Sequence, residues 1–380
     1  MGLNKYILFL AIAFISTSAL YSQKSSKPID LKKLDKEAFF ALENNEDDVV
    51  EKALYLVAQG KIQKIGLYES NGYTILGIIN KNKGYYITSV DHYIKALNAA
   101  EKINDTGRVS ASYNNIGTVY QLQENYTKAL EYFQQSLNLE EKLNNPLQKS
   151  IRLYNIGEVY SELDSMDLAL TYFNNSLLIE KKYSNNEGII YALLGIAEVY
   201  LRIDRLTDAS ITLNKSSQIL DPINVELRII YYKLTGELYG AQKNYANALK
   251  DLGQAEDLSN NEDYRIHLLD IYLTQINLLN AQQQWEKSVD RYNKYVALNT
   301  ELNSIKVKNQ LEDLTHRNEL RQKELKIELA NDERDLAQKN VKIEESIGNY
   351  ESRIIWFLIF TIALILGLIV YGIKRITKGK

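Results

Sequence analysis

The 380-residue sequence has no cysteine, only 3 prolines, 18 glycines and 3 histidines, and almost no excess of charge. Without cysteine there is no disulfide, thiol nucleophile, iron–sulfur cluster or lipoprotein anchor. The histidines, His92, His267 and His316, are separated beyond any metal or triad spacing. No G-x-G-x-x-G or G-x-x-x-x-G-K-[ST] phosphate loop occurs. With 45 basic and 48 acidic side chains, net −3, no basic face is available for nucleic acid. The expectation is a protein that is not an enzyme, with no catalytic residues, metal, cofactor or nucleic-acid partner.

What remains is rich in Leu, Ala, Glu, Lys, Gln and Asn, with 28 tyrosines. Many helix formers and few breakers predict an all-α chain.

The two ends differ from the body. Lys5 precedes a ten-residue apolar run, Tyr6–Ile15, which is followed by Ser16-Thr17-Ser18-Ala19. That layout predicts a secretory signal peptide over residues 1–22, the run being short for a membrane span. Near the other end, Ile354–Ile373 is 20 residues without a charge, about 30 Å as a helix, the depth of a bilayer core. Trp356 and Tyr371 sit near its ends, where amphipathic rings favour the interface. Lys374, Arg375, Lys378 and Lys380 follow, so residues 374–380 are expected in the cytoplasm as a basic tail. The body is then expected in the periplasm, held by a single pass through a bacterial inner membrane.

Between the ends the sequence repeats itself. Asn115-Ile116-Gly117-Thr118-Val119-Tyr120 returns as Asn155-Ile156-Gly157-Glu158-Val159-Tyr160, and then as Gly195-Ile196-Ala197-Glu198-Val199-Tyr200. A fourth copy is Leu234-Thr235-Gly236-Glu237-Leu238-Tyr239, with Gly77 one period earlier and a weaker copy at Ile276. Twelve residues after the small position stand Ala129, Ala169, Ala209 and Ala248, with Ser89 and Ser288 in the outer copies. Four further on come Tyr93, Phe133, Phe173, Leu213, Leu252 and Tyr292. Three beyond those are Ala96, Ser136, Ser176, Ser216 and Ala255. The reading is an antiparallel helix pair per repeat. Gly or Ala on the first helix lets the second approach, and the aromatic or leucine fills the gap. Asn145-Pro146 and Asp221-Pro222 predict helix starts, an N-cap residue followed by proline.

This spacing of small, small, aromatic, small resembles the tetratricopeptide repeat, lengthened from its usual period of about 34 residues. The resemblance covers residues 61–300 as six repeats, and residues 30–60 are expected to form a degenerate capping pair. It implies a helical-repeat solenoid that binds a protein or peptide on the concave wall of its first helices. In that family the residue after the small position tends to face this wall, which here selects Thr118, Glu158, Glu198, Glu237 and Asn277. Three glutamates in succession suggest an acidic stripe suited to a basic or amine-bearing peptide. Only Asn114 and Lys233 stand where the family's carboxylate clamp would need Lys and Asn, so that mode is not expected.

Past Asn299 the repeat marks vanish. Residues 301–353 hold no proline and one glycine, Gly348, and read as a charged helical stalk. Leu329, Leu336, Ile343 and Tyr350 recur every seven residues, a seam for a partner helix such as a second copy in a coiled coil. Leu325, Asp332, Lys339 and Ser346, taken as the complementary positions, leave that seam half-formed, so a solvated single helix or one folded onto the last repeat is the alternative to a coiled coil. Extended, the stalk would hold the repeats up to about 75 Å from the bilayer.

Signal peptide, tetratricopeptide repeats, stalk and one span together resemble exported proteins of Bacteroidetes-type bacteria, in which a kinase or DNA-binding domain usually follows the span. Only seven residues follow it here. The resemblance therefore implies an input module that signals through a separate cytoplasmic kinase or regulator. A passive periplasmic scaffold is the alternative.

Overall fold

The computed structural model describes residues 29–261 and 264–378, with side chains through Leu366. The expected signal peptide lies outside the described residues. Fourteen helices account for the architecture: α1 (Leu31–Glu43), α2 (Val49–Ile62), α3 (Gly66–Asn82), α4 (Tyr86–Lys102), α5 (Thr106–Leu122), α6 (Tyr126–Leu143), α7 (Pro146–Glu162), α8 (Met166–Lys182), α9 (Asn186–Arg202), α10 (Leu206–Ser217), α11 (Val225–Ala241), α12 (Tyr245–Leu258), α13 (His267–Ala281) and α14 (Trp285–Lys378). Among the described residues there is no strand. Each odd-numbered helix packs antiparallel on the next, making an all-α solenoid of helical hairpins.

The period is built from halves of 20 residues. Positive-φ residues close the helices at Lys64, Gly84, Asn104, Glu124, Asn144, Asp164, Ser184 and Asp204, twenty apart, and again at Lys243 and Gln283. At each, amides past the helix end reach back to its last carbonyls, as Asn125 N–H does to Tyr120 O at 2.9 Å. Helices such as α3, α4, α5 and α7 each run 17 residues, so the extra length over the usual repeat lies in the helices. Side chains other than glycine at left-handed positions carry strain of about 1 kcal/mol. Lys243→Gly is therefore expected to stabilise the solenoid by about 0.5–1 kcal/mol, readable as a higher denaturant midpoint. A lower midpoint would mean that Lys243 makes contacts that outweigh its φ of 61°.

Asn145 caps α7, its side chain accepting from Gln148 N–H, with Pro146 in the first turn. Asp221-Pro222 departs from expectation. Asp221 accepts from Ile223 N–H at 2.8 Å in a turn, and α11 starts three residues later with Asn224 as its cap. A nearer residue with a free amide to satisfy won the capping role.

The hairpins lock as small-against-large pairs. A Cβ on Gly117 would lie 2.7 Å from the Phe133 ring, one on Gly157 2.8 Å from Phe173, and one on Gly236 2.6 Å from Leu252. Gly77 faces Tyr93 in the same way. Ala129, Ala169, Ala197, Ala209 and Ala248 are all buried, so close approach recurs from hairpin to hairpin. The core is accordingly a chain of local clusters, one passing to the next.

The helix after Asn299 corrects the stalk expected from residue 301. There is no boundary there: α14 starts at Trp285 as the second helix of the last hairpin, with Leu298 and Leu302 packed on α13. It continues without a break and returns across the solenoid to the first repeats. Lys306 pairs with Glu124 at 3.3 Å, Asn309 donates to Lys83 O at 2.9 Å, and Ile327 packs into the cluster of α1, α2 and α3. The physical cause is a stripe of apolar and hydrogen-bonding residues on one helix face, centred on Asp313 and Leu320, both nearly inaccessible to solvent. Only residues beyond Asn331 stand clear, which reduces the free rod before Ile354 to about 33 Å. The C-terminal part of α14 is long and apolar enough to cross a membrane, and among the described residues, up to Leu366, its apolar stretch is not buried against protein.

Candidate functional site

Two surfaces converge chemically active side chains: the inner wall and the seat of the long helix. Successive odd-numbered helices touch one another across hairpins, as α7 does α9, α9 does α11 and α11 does α13. Successive even-numbered helices stand farther apart. In a curved stack the closer set lies inside, so the odd helices form the concave wall.

Glu158 on α7, Glu198 on α9 and Glu237 on α11 fall on this wall at one place per helix, partly shielded by neighbouring turns. Burial pushes the Glu158 carboxyl up to about 7, with Glu198 and Glu162 adding to the rise and Tyr154 and Gln121 opposing it. Burial likewise raises Glu237 to about 7; Lys233 opposes and Glu198 and Asp270 reinforce it. Lys233 Nζ lies 3.6 Å from Glu198 Oε1, and the surrounding carboxylates hold the lysine charged despite its burial. Gln121 Nε2 donates to Glu158 at 3.4 Å, and Asn155 Nδ2 to Asn114 Oδ1 at 2.8 Å, tying adjacent helices together. Five carboxylates, Glu158, Glu162, Glu198, Glu237 and Asp270, therefore gather here, with Lys233 among them and Arg202 acting on Glu162. The wall carries excess negative charge in a recess where water screens it poorly.

The other two predicted wall positions contribute less. The Thr118 hydroxyl donates to Asn114 O at 3.1 Å, within its own helix, and Asn277 is exposed on α13. The sequence marks Lys233 only as a position comparable with the family's clamp, and it does not mark Glu162 or Asp270. Glu162 lies one helical turn after Glu158, Lys233 one turn before Glu237 and Asp270 two turns before Asn277, so a search at i±4 on the same face finds the first two.

The second surface joins residues more than 200 positions apart. Helix α4 has Tyr85 before its first turn and no capping side chain of its own. Asp313 supplies the cap: its carboxylate accepts from Ile87 N–H at 2.8 Å and Thr88 N–H at 3.1 Å. Beside it runs a relay of fixed tautomers. His316 Nε2 donates to Asn80 Oδ1 at 2.9 Å, which leaves Asn80 Nδ2 to donate to His92 Nδ1 at 3.3 Å and to Leu76 O at 2.6 Å. The His92 proton is then on Nε2, 3.7 Å from Glu324 Oε1. Lys95 reaches the same carboxylate at 3.4 Å. Burial works against the Glu324 charge, but His92 and Lys95 outweigh it and hold the carboxyl below its ordinary range. Gln59 donates to Asn331 Oδ1 at 3.2 Å at the far end of the seat. A cavity of about 410 Å³ lined by Lys61, Tyr73, His92, Lys95, Arg321 and Glu324 lies beneath the helix. His92 and His316 thus serve to dock the helix, a role that nothing in their sequence spacing signals.

The tetratricopeptide-repeat family model matches residues 69–142 and 150–221. No curated protein matches the sequence. Among solved structures, the apo form of RapI is similar at TM-score 0.60 and 14% identity, over 73% of this chain and 100% of that one. A Rap protein complexed with competence and sporulation factor matches at TM-score 0.54 and 13% identity, over 82% of this chain and 91% of that one. NprR in complex with its cognate peptide NprX matches at TM-score 0.51 and 18% identity, over 76% and 84% respectively. At these identities the likeness is one of fold, a helical-repeat solenoid.

Proposed function

We propose, on the premise that the chain carries tetratricopeptide repeats, that its acidic inner wall receives a basic or amine-bearing peptide. The long helix then makes the chain the input module of a membrane-anchored receptor. The observation that carries the reading is the pair Glu158 and Glu237, two carboxyls held near neutrality in one recess. Unfilled, such groups gain by taking up protons; a ligand cation relieves the same repulsion and leaves them ionised. NprR, similar in fold, is in complex with its cognate peptide NprX, and a Rap protein with competence and sporulation factor, which agrees with a peptide ligand. Anchoring through Ile354–Ile373 is supported by the exposed apolar surface of Ile354, Trp356, Phe357 and Phe360, which only a bilayer or another apolar partner would cover. Transmission toward a separate cytoplasmic kinase or regulator is supported by the single helix that runs from the last hairpin into that stretch. A passive scaffold has no need of such a continuous element.

The test titrates a lysine-rich decapeptide and its glutamate-rich counterpart against the full chain in detergent, at pH 5.5 and 8. The basic peptide is expected to bind and to bind more tightly at pH 8, because the two carboxyls that ionise near 7 must carry charge. Combined Glu158→Lys and Glu198→Lys is expected to weaken it by about tenfold or more. Equal binding of both peptides, or no change in the double variant, would reject the acidic wall. Stability of the free chain should run the other way. A folded pKa above the unfolded one means that the native state holds protons more tightly, so the free solenoid gains stability as pH falls from about 7 to 4.5.

A further inference from the structure

Among the described residues, the long helix is exposed from Asp332 to Phe360, yet it is not uniformly polar. Leu336, Ile343, Ile347 and Tyr350 are 59%, 55%, 51% and 66% exposed. Their spacing, with Asn340 and Ile354 included, alternates four and three along Leu336, Asn340, Ile343, Ile347, Tyr350 and Ile354. This is the a/d pattern of a two-stranded coiled coil, with Asn340, Ile347 and Ile354 at a and Leu336, Ile343 and Tyr350 at d. The complementary row is therefore not Leu325, Asp332, Lys339 and Ser346, which left the seam half-formed. It lies one residue further on, and from Asn340 onward it is mostly apolar.

We propose that residues 336–354 form a parallel coiled coil with the same segment of a second copy, so that the receptor is a homodimer joined between its repeats and its apolar C-terminal stretch.

Three observations select a second copy over any other occupant. First, a lone asparagine among apolar a positions is matched by itself across a two-fold axis, where the two amides hydrogen-bond. Against an unrelated apolar helix it would be buried unpaired. Second, Lys339 at g and Glu344 at the following e are opposite in charge, so each copy's Lys339 meets the other's Glu344, twice per dimer. Third, the seam is free to meet its partner while the helix stays docked. The docking stripe passes through Leu320, Ile327 and Asn331, whereas Leu329 and Glu333 are two residues on, about 200° around the helix. Carried downward, the seam faces away from the solenoid that its own chain supplies. Glu333, at the next a position upward, would place two carboxylates together and so ends the seam there. The length, about 28 Å, is marginal for two free helices but sufficient for two chains held side by side. The parallel sense rests on the membrane reading above; the seam itself does not.

The absence of native cysteine makes the test direct. Leu336→Cys and Tyr350→Cys, made singly in the full chain, are oxidised in membranes and in mild detergent, with Glu345→Cys at an outward position as the control. Disulfide-linked dimer is expected at 336 and at 350 in several-fold excess over 345, because only a parallel seam in register brings both d positions to their own copies. Absence of cross-linking at either d position, or equal cross-linking at 345, would overturn the proposal. Asn340→Leu should convert the dimer to larger species by sedimentation, since the polar layer restricts oligomer size. A wild-type chain that sediments as a monomer in detergent would also overturn it. Efficient cross-linking of a chain recovered in the soluble fraction would uphold the seam and overturn only the membrane anchor.

Discussion

Gly157→Leu is expected to destabilise the solenoid by about 3 kcal/mol, read as a large fall in the thermal midpoint. The reason is that the space is taken from two sides. Even the first added carbon would stand 2.8 Å from Cδ1 and Cε1 of Phe173. That ring cannot retreat: a Cβ on Gly195 of the next hairpin would lie 2.9 Å from its Cζ, and Tyr154 packs against it in a tilted pair at 5.3 Å between centroids. Relief must therefore come from backbone movement between α7, α8 and α9. Gly157→Ala is a finer probe, because helix propensity alone would make it stabilising by about 1 kcal/mol. Here contact is expected to win and the change to destabilise. Gly253 on α12 has nothing within 4 Å of its added Cβ, so Gly253→Ala should show the propensity gain alone. If both alanine variants are stabilised alike, close approach at Gly157 is not what holds the hairpins in register.

Asp313→Ala should release the long helix from the first repeats at a cost of about 2–4 kcal/mol. Two α4 amides, Ile87 and Thr88, would lose their acceptor in a site that water reaches poorly, and no local side chain replaces it. Asp105→Ala is the matched control. Asp105 caps α5 from the adjacent position, accepting from Arg108 N–H at 3.0 Å, so its removal should cost about 1 kcal/mol and leave the long helix docked. Hydrogen exchange separates the two. Asp313→Ala is expected to raise exchange at residues 87–88 and throughout 306–331, whereas Asp105→Ala raises it only at the start of α5. Unchanged protection over 306–331 in Asp313→Ala would mean that His316, Leu320 and Glu324 hold the seat without the cap. Because the same helix leads to the apolar stretch, ligand-induced undocking would be felt there.

The repeat was legible because its physics is local. Gly157 and Phe173 are 16 residues apart, and each hairpin closes on its own small–large pair before any distant contact forms. Residue type at a fixed spacing therefore determines the helices, their pairing and the face that becomes the inner wall. The family resemblance pointed to Glu158, Glu198 and Glu237, although not to the burial that raises Glu158 and Glu237 to about 7. Asp221 misled because a proline after a capping residue fits a turn as well as a helix start, and the free amide that Asn224 satisfies appears only once the chain is folded.

The path of the long helix was outside the reach of any such reading. Its charged, break-free sequence determines a helix of great length but is equally compatible with a free rod. What decided the matter is the superhelical curvature accumulated over the hairpins, which brings the first repeats back within reach of the last. There the uncapped start of α4, Asn80 and His92 meet Asp313, His316 and Glu324. Sequence by itself determined the repeating unit, which is set by neighbours within a few helical turns. Only the tertiary structure decided that the stalk is also a clasp, because the partners that make it so are joined by the shape of the whole stack.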